Sequence, residues 1–334
     1  SSEACLRACG QIDEEQQQVQ GRRVSTMHCE VLWAGMETKR QFLRMRLLYA
    51  ASIEALANVR ARQGRPLFFV QLGAHTGNTT NDPVFAHANK PGAEWAGLLV
   101  EPDTQHIQQL ELNYRRARQS ADPGAASLLF DNSAVCSNGA ASATFYTVSA
   151  AVETQLQKLW LGSARPRWLD QIGSLDEATF RHNLREALRA LQAQGEREAA
   201  FADLELFVDQ LVAAGTTTVR CSSWAQLLRR ARMKGRAGIG RSGVVDAVYI
   251  DCEGRDGAIV RMILIHSNPA PPILCYEHAH QEEEENQLLL GELRRAGGYL
   301  CGRRGQEDTC CVAEWLAEDF EREPALRLLQ GQPM

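Results

Sequence analysis

Five short apolar runs punctuate the chain: Leu67–Leu72, Ala96–Val100, Ser127–Phe130, Val244–Ile250 and Pro272–Tyr276, each with turn or polar residues behind it. Runs of this length without polar alternation suit strands buried on both faces of a parallel sheet. Around them the apolar spacing lengthens to that of a helix. Over Glu37–Arg62 it places Phe42, Met45, Leu48, Ala51, Ile53 and Leu56 on one side and stops ahead of Gln63-Gly64-Arg65-Pro66, which predicts a lead-in helix packing on the sheet. Asp103–Arg118 predicts another, with Asp103 or Thr104 as N-cap and Ile107, Leu110 and Tyr114 inward. Strands alternating with helices predict an α/β fold with a doubly wound, mostly parallel sheet.

The third and fourth runs are separated by far more chain than a crossover needs. Val152–Trp160, Leu175–Gln194 and Ala200–Ala214 all carry helical periodicity, so a helical insertion is expected over about residues 150–218, placed to cover the ligand crevice as a lid. The layout expected is a polar, Gln/Glu-rich arm over 1–36, one enlarged domain over 37–320 and a tail over 321–334. Glu282–Glu285 opens a later helix, where acidic side chains complement the N-terminal dipole.

Composition narrows the function classes. A net charge of −5 argues against a nucleic-acid backbone as partner. No apolar stretch is long enough for a membrane span, and the start lacks a basic-then-apolar signal, so the chain as given is expected to be soluble. It begins at Ser1, which leaves both the cytoplasm and an organelle or secretory lumen open as compartments. Ten cysteines in 334 residues fall below the density of a disulfide scaffold, and most are expected to be buried thiols. Cys5, Cys9 and Cys29 are the ones that could pair in an oxidising lumen.

Candidate chemistry collects where the strands end. The first runs into Gly73-Ala74-His75-Thr76-Gly77-Asn78, whose two glycines allow a tight turn and close backbone approach to a ligand. A nicotinamide-binding turn would read G-x-G-x-x-G, but position 75 is His. A cofactor without a pyrophosphate, such as S-adenosylmethionine, suits this loop better. The second strand ends at Glu101-Pro102, putting a carboxylate where a nucleoside-binding fold places its ribose acceptor. Asn132, after the third strand, could pair with an adenine edge, or could belong to a turn rich in Asp, Asn and Ser. The fourth strand delivers Asp251-Cys252-Glu253-Gly254, whose two carboxylates point to one side of an extended backbone and could serve an acceptor hydroxyl as base and positioning group. Capping of the helix at Gly254–His266 suits Asp256 better than Asp251. The fifth strand ends at Glu277-His278-Ala279-His280. There Glu277 or His278 reads as acid/base or substrate ligand, while His-x-His without a third spaced ligand is a poor metal signature, so no metal is expected.

Together these segments resemble the FkbM family of methyltransferases, particularly members whose first motif reads Val-Gln-Ile-Gly-Ala-Asn. The resemblance covers roughly Leu67 to Val312. It rests on Val70-Gln71-Leu72-Gly73-Ala74-His75-Thr76-Gly77, Thr80-Asn81-Asp82-Pro83-Val84-Phe85, Leu98-Leu99-Val100-Glu101-Pro102, Asn132-Ser133-Ala134-Val135, Asp251-Cys252-Glu253-Gly254-Arg255-Asp256 and Tyr276-Glu277-His278. It implies a Rossmann-like methyltransferase fold, S-adenosylmethionine as donor and a hydroxyl acceptor on a sugar, glycolipid or secondary metabolite. The donor would lie against Gln71, Gly73, His75, Gly77, Asn78, Glu101 and Asn132, and the acceptor against Asp251, Glu253, Glu277 and His278. His75 stands where that first motif has Asn, and Thr76 where an acid or small residue follows. Two other readings are a methyltransferase-like module that binds a ligand or partner without turnover and a nicotinamide-dependent oxidoreductase. The missing third glycine and the lack of a Tyr-x-x-x-Lys pair disfavour the latter.

Overall fold

The computed structural model describes residues 53, 56–79, 82–89, 95–119, 127–149, 152–154, 172–193, 204–234, 244–304 and 307–316. The expected arm and tail, most of the lead-in helix, residues 155–160, and Cys5, Cys9 and Cys29 lie outside them.

All five apolar runs are strands of one sheet: β1 (Leu67–Leu72), β2 (Trp95–Val100), β3 (Leu128–Asp131), β7 (Ala247–Ile250) and β8 (Ile273–Glu277). Two more strands, β9 (Tyr299–Arg304) and β10 (Asp308–Ala313), complete it in the order β3-β2-β1-β7-β8-β10-β9. Its first five members pair in parallel. At the far edge β10 runs antiparallel to both β8 and β9. This is an α/β, mostly parallel sheet, compatible with a Rossmann-like fold.

Helices cover both faces, which is why the strands carry apolar residues at consecutive positions. Alternate side chains divide between two clusters. Leu67 and Phe69 face Ile53, Leu56, Ala88 of the short helix α1 (Phe85–Ala88) and, on α2 (Thr104–Gln119), Ile107, Leu110 and Tyr114. Phe68, Val70 and Leu72 face the other way, joining Trp224 and Leu227 of α5 (Trp224–Lys234), Ile259 and Ile263 of α6 (Asp256–His266) and Leu289 and Leu293 of α7 (Glu283–Gly297). Burying each large side chain of this kind contributes roughly 1.5–3 kcal/mol. Residues 56–62 are helical, as the lead-in spacing predicts. Asp103 caps α2, accepting the Gln105 and His106 amides through Oδ1 at 2.7 and 3.1 Å. Glu283, Glu284 and Glu285 occupy the first turn of α7.

The segment between β3 and β7 differs from a purely helical insertion. Helices α3 (Glu177–Ala193) and α4 (Leu204–Gly215) are present and bury their own cluster around Phe180, Leu184, Leu211 and Val152. Flanking them are β4 (Ala134–Val135), β5 (Ser142–Tyr146) and β6 (Thr216–Ser222), which form a second sheet in the order β4-β6-β5. Strand β6 starts directly after Gly215, so the helical period gives no warning of it, and five of its seven residues are not buried.

The expectation of buried thiols is also corrected. Disulfides join Cys136 to Cys221, Cys275 to Cys310 and Cys301 to Cys311, and Cys252 is the one free cysteine among the described residues. Cys310 and Cys311 are consecutive on β10, so their side chains leave opposite faces of the sheet. One meets its register partner Cys275 on β8 and the other its register partner Cys301 on β9.

Candidate functional site

The carboxyl ends of β1, β2 and β7 are level, since Leu72 is in register with both Val100 and Ile250. The chain leaves β1 toward β2 on one side, while β7 adds on the other side, so a crevice opens between them at the reversal of strand order, where open α/β sheets bind their ligands. A cavity of about 950 Å³ occupies this edge.

Gly73 forms the floor. Its amide and that of Ala74 donate to the carbonyl of Val100 at 3.0 Å. With φ at +75° and the place of a Cβ only 1.7 Å from the Asp251 carbonyl oxygen, no other residue fits there. The β1 and β7 loops therefore touch backbone to backbone. Gly77 has a different reason: a Cβ would overlap Leu110 and Tyr114 at 2.4 and 2.7 Å, so this glycine lets α2 close onto the loop. His75 has φ at +45°, a left-handed conformation in which His and Asn are enriched over other side chains. Its backbone thus accommodates His where the first motif of the resembling family has Asn. The ring sits 4.1 Å from that of His106.

Glu101 is 5% exposed. Its Oε2 accepts the His75 amide at 2.8 Å and its Oε1 the Asp103 amide at 2.9 Å. Burial pushes its pKa up to about 7 against the lowering effect of these two amides. Each carboxylate oxygen keeps a second lone pair for a ligand hydroxyl. Gln71 donates from Nε2 to Asp82 at 3.0 Å, which leaves its Oε1 a buried acceptor without a donor on the cavity wall.

On the other side stand Asp251, Glu253 and Glu277. Asp251 is open to the cavity, but the walls strip it of bulk water. That desolvation, reinforced by Glu253, Asp256, Asp308 and Glu101, holds its carboxyl well above the usual range. Burial raises Glu277 as well, reinforced by Asp251, Glu253, Asp256 and Asp308. Asp256 caps the turn, its Oδ1 accepting the Cys252 amide at 3.1 Å, and burial pushes it to about 7. Glu253 does not reach the cavity along an extended strand: β7 ends at Ile250 and Glu253 has φ at +48°. Ser174 holds this turn by donating its hydroxyl to the Glu253 carbonyl at 2.7 Å, and Asn183 of α3 donates to Oε2 at 3.2 Å. The insertion thereby positions an acid of the site. Beyond these three acids, Asp82, Glu101, Glu186, Glu307 and Asp308 also line the cavity, with no Lys or Arg among the described lining residues.

Of the residues singled out from sequence, the cavity gathers Gln71, Gly73, His75, Glu101, Asp251, Glu253 and Glu277. Gly77, Asn78, Asn132 and His278 are not in its lining. Asn78 is exposed. Asn132 uses its amide as a brace, donating to the carbonyls of Glu101 and Pro102 at 3.0 and 2.9 Å and accepting from Thr104, while Ser133, Ala134 and Val135 line the wall instead. His278, 7% exposed, turns its Nδ1 onto the Thr309 hydroxyl at 3.1 Å, and burial lowers its pKa. Its place is taken by His280: after β8 the chain turns, with the Gln281 amide bonded to the His278 carbonyl, and this brings His280 back over the cavity.

Compared with models of known protein families and with curated proteins, the chain matches none of them. Among the described residues no helix is long and apolar enough to cross a membrane.

Proposed function

We propose that the chain is an S-adenosylmethionine-dependent methyltransferase acting on a hydroxyl of a sugar, glycolipid or secondary metabolite. The observation that carries this reading is the convergence of the glycine loop, Glu101 and the carboxylates of the β7 and β8 ends on one cavity at the reversal of strand order. Donor and acceptor sides are distinct there. On the donor side Glu101 has lone pairs to accept ribose hydroxyls, and the donorless Gln71 Oε1 suits an ammonium group such as the amino-acid end of the cofactor carries. The cofactor supplies an electrophilic methyl group on a sulfonium. On the acceptor side Asp251, kept basic by its surroundings, is suited to take the hydroxyl proton, and Glu253 and Glu277 to orient the substrate.

The resemblance to the FkbM family supports the same reading. Against a nicotinamide enzyme stand the His at position 75 and the antiparallel β10 beside the fifth parallel strand, where the dinucleotide order 3-2-1-4-5-6 continues in parallel. The three disulfides among the described residues favour an oxidising lumen over the cytoplasm. Calorimetric titration with S-adenosylhomocysteine, alongside NADH, tests the reading. Micromolar binding of the first and none of the second is expected; NADH binding in its place would overturn it.

A further inference from the structure

The acceptor side gathers Asp251, Glu253 and Glu277 around an imidazole, His280, which pairs with Glu253. Asp131 meets Arg220 and Arg230, and Asp246 meets Arg60 and Arg65, whereas no Arg or Lys is among the described residues that line the cavity. Within this side one trio has ligand geometry. Glu253, Glu277 and His280 each offer an atom, all within 4.8 Å of one another. His280 Nε2 lies 2.9 Å from Glu253 Oε2 and 3.7 Å from Glu277 Oε1. Neighbouring ligands on one ion, each about 2.1 Å from it, stand roughly 3 Å apart, so one of the three pairs is already at that spacing and the other two, at 3.7 Å and within 4.8 Å, close to it by side-chain rotation. A separate observation points the same way: Glu277 Oε2 is a buried oxygen that accepts no hydrogen bond.

We infer that Glu253, Glu277 and His280 form a divalent-cation site on the acceptor side of the cavity. Two carboxylates and one imidazole suit Mn²⁺ or a similar first-row ion more than an all-oxygen Ca²⁺ cage. Three protein ligands leave open positions for water or for substrate oxygens. The cation site stands on these side chains alone. Only its use, gripping the acceptor through neighbouring hydroxyls, rests on the methyltransferase reading. The spacing of His278 and His280 could not reveal it, because the ligand paired with His280 comes from the loop after β7 and His278 faces Thr309.

The test is Mn²⁺ titration of the full chain followed by electron paramagnetic resonance, with no cofactor present. Glu277→Gln and His280→Gln serve as variants, and their thermal unfolding is recorded with and without Mn²⁺. The wild type is expected to take up one Mn²⁺ with micromolar affinity and a raised unfolding midpoint, and each variant to bind at least tenfold more weakly. Glu277→Gln removes one of several crowded carboxylates and is expected to fold. S-adenosylhomocysteine affinity measured on the same samples separates this site from the cofactor reading. A folded wild type that leaves the Mn²⁺ spectrum unchanged at millimolar ion, or variants that bind as tightly as wild type, would overturn the proposal.

Discussion

The two ends of β7 treat their acids in opposite ways. At the amino end Asp246 is fully buried, and its oxygens take up Arg60 at 2.7 and 2.8 Å, Arg65 at 3.3 Å and the Phe68 amide at 3.0 Å. At the carboxyl end Asp251 and Glu253, joined by Glu277 from β8, share a cavity with no arginine or lysine among its described lining residues. The first arrangement satisfies a buried charge and ties the lead-in helix to the sheet. The second crowds carboxyls whose ionisation burial and one another oppose, a perturbation of the kind found at functional sites, at the edge where α/β sheets hold their ligands. Asp131, on the outer strand β3, follows the first pattern: against the raising effect of burial, hydrogen bonds from Arg230 and Ser133 hold its carboxyl below the usual range.

The sharpest way to break this contrast is Asp246→Ala. It leaves Arg60, Arg65 and the Phe68 amide without their shared acceptor, and a loss of about 3–5 kcal/mol is expected in urea unfolding. Asp251→Asn, by contrast, replaces a carboxyl whose ionisation burial and its neighbours oppose, and should leave stability equal or higher while abolishing most turnover. Next in size, replacing Cys136 and Cys221 together by Ala opens a crosslink spanning 85 residues, with an expected loss of about 2–4 kcal/mol; mapping peptides without reductant checks all three bonds directly.

A smaller effect is the pH dependence of stability. Glu101 and Asp256 both have folded pKa values raised to about 7, so the folded state binds their protons more tightly than the unfolded chain. Their contribution is fully present below the ordinary carboxylate range and is lost as pH rises through about 7. The unfolding midpoint of the unliganded chain should fall on the order of 3–5 °C between pH 5 and pH 8, with the slope flattened in Glu101→Gln. Smallest is Asn132→Ala. Loss of the brace between the ends of β2 and β3 should lower stability by about 1 kcal/mol, with cofactor affinity changed less than twofold in calorimetry.

The five parallel strands of the central sheet are legible in the sequence, since a short, dominantly apolar run such as Leu67–Leu72 suits neither a solvated loop nor a half-exposed strand, whereas its antiparallel edge, β9 and β10, is not. Strand β5 is not legible, since only Phe145 of Ser142–Tyr146 is buried and the alternation is faint. The cysteine pairs are not legible either: four cysteines on β8, β9 and β10 pair according to register, which depends on strand order and not on spacing. In the site, residues standing directly at the ends of parallel strands can be read from the sequence, Glu101 and Asp251 among them. Those set by turns beyond the strands escape it. The chain reverses after Glu277, exchanging His278 for His280, and Asn132 folds back onto carbonyls that period-two reasoning does not see.

Cofactor binding at the carboxyl edge, and not at the sheet at large, is the central claim. Calorimetric titration of S-adenosylhomocysteine into wild type, Glu101→Gln and Asp246→Asn, at a temperature where all three are folded by circular dichroism, tests this most directly. Micromolar binding in wild type, weakened at least tenfold in Glu101→Gln and within twofold of wild type in Asp246→Asn, is the expected result. No heat from the folded wild type, or equal weakening in both variants, would contradict it.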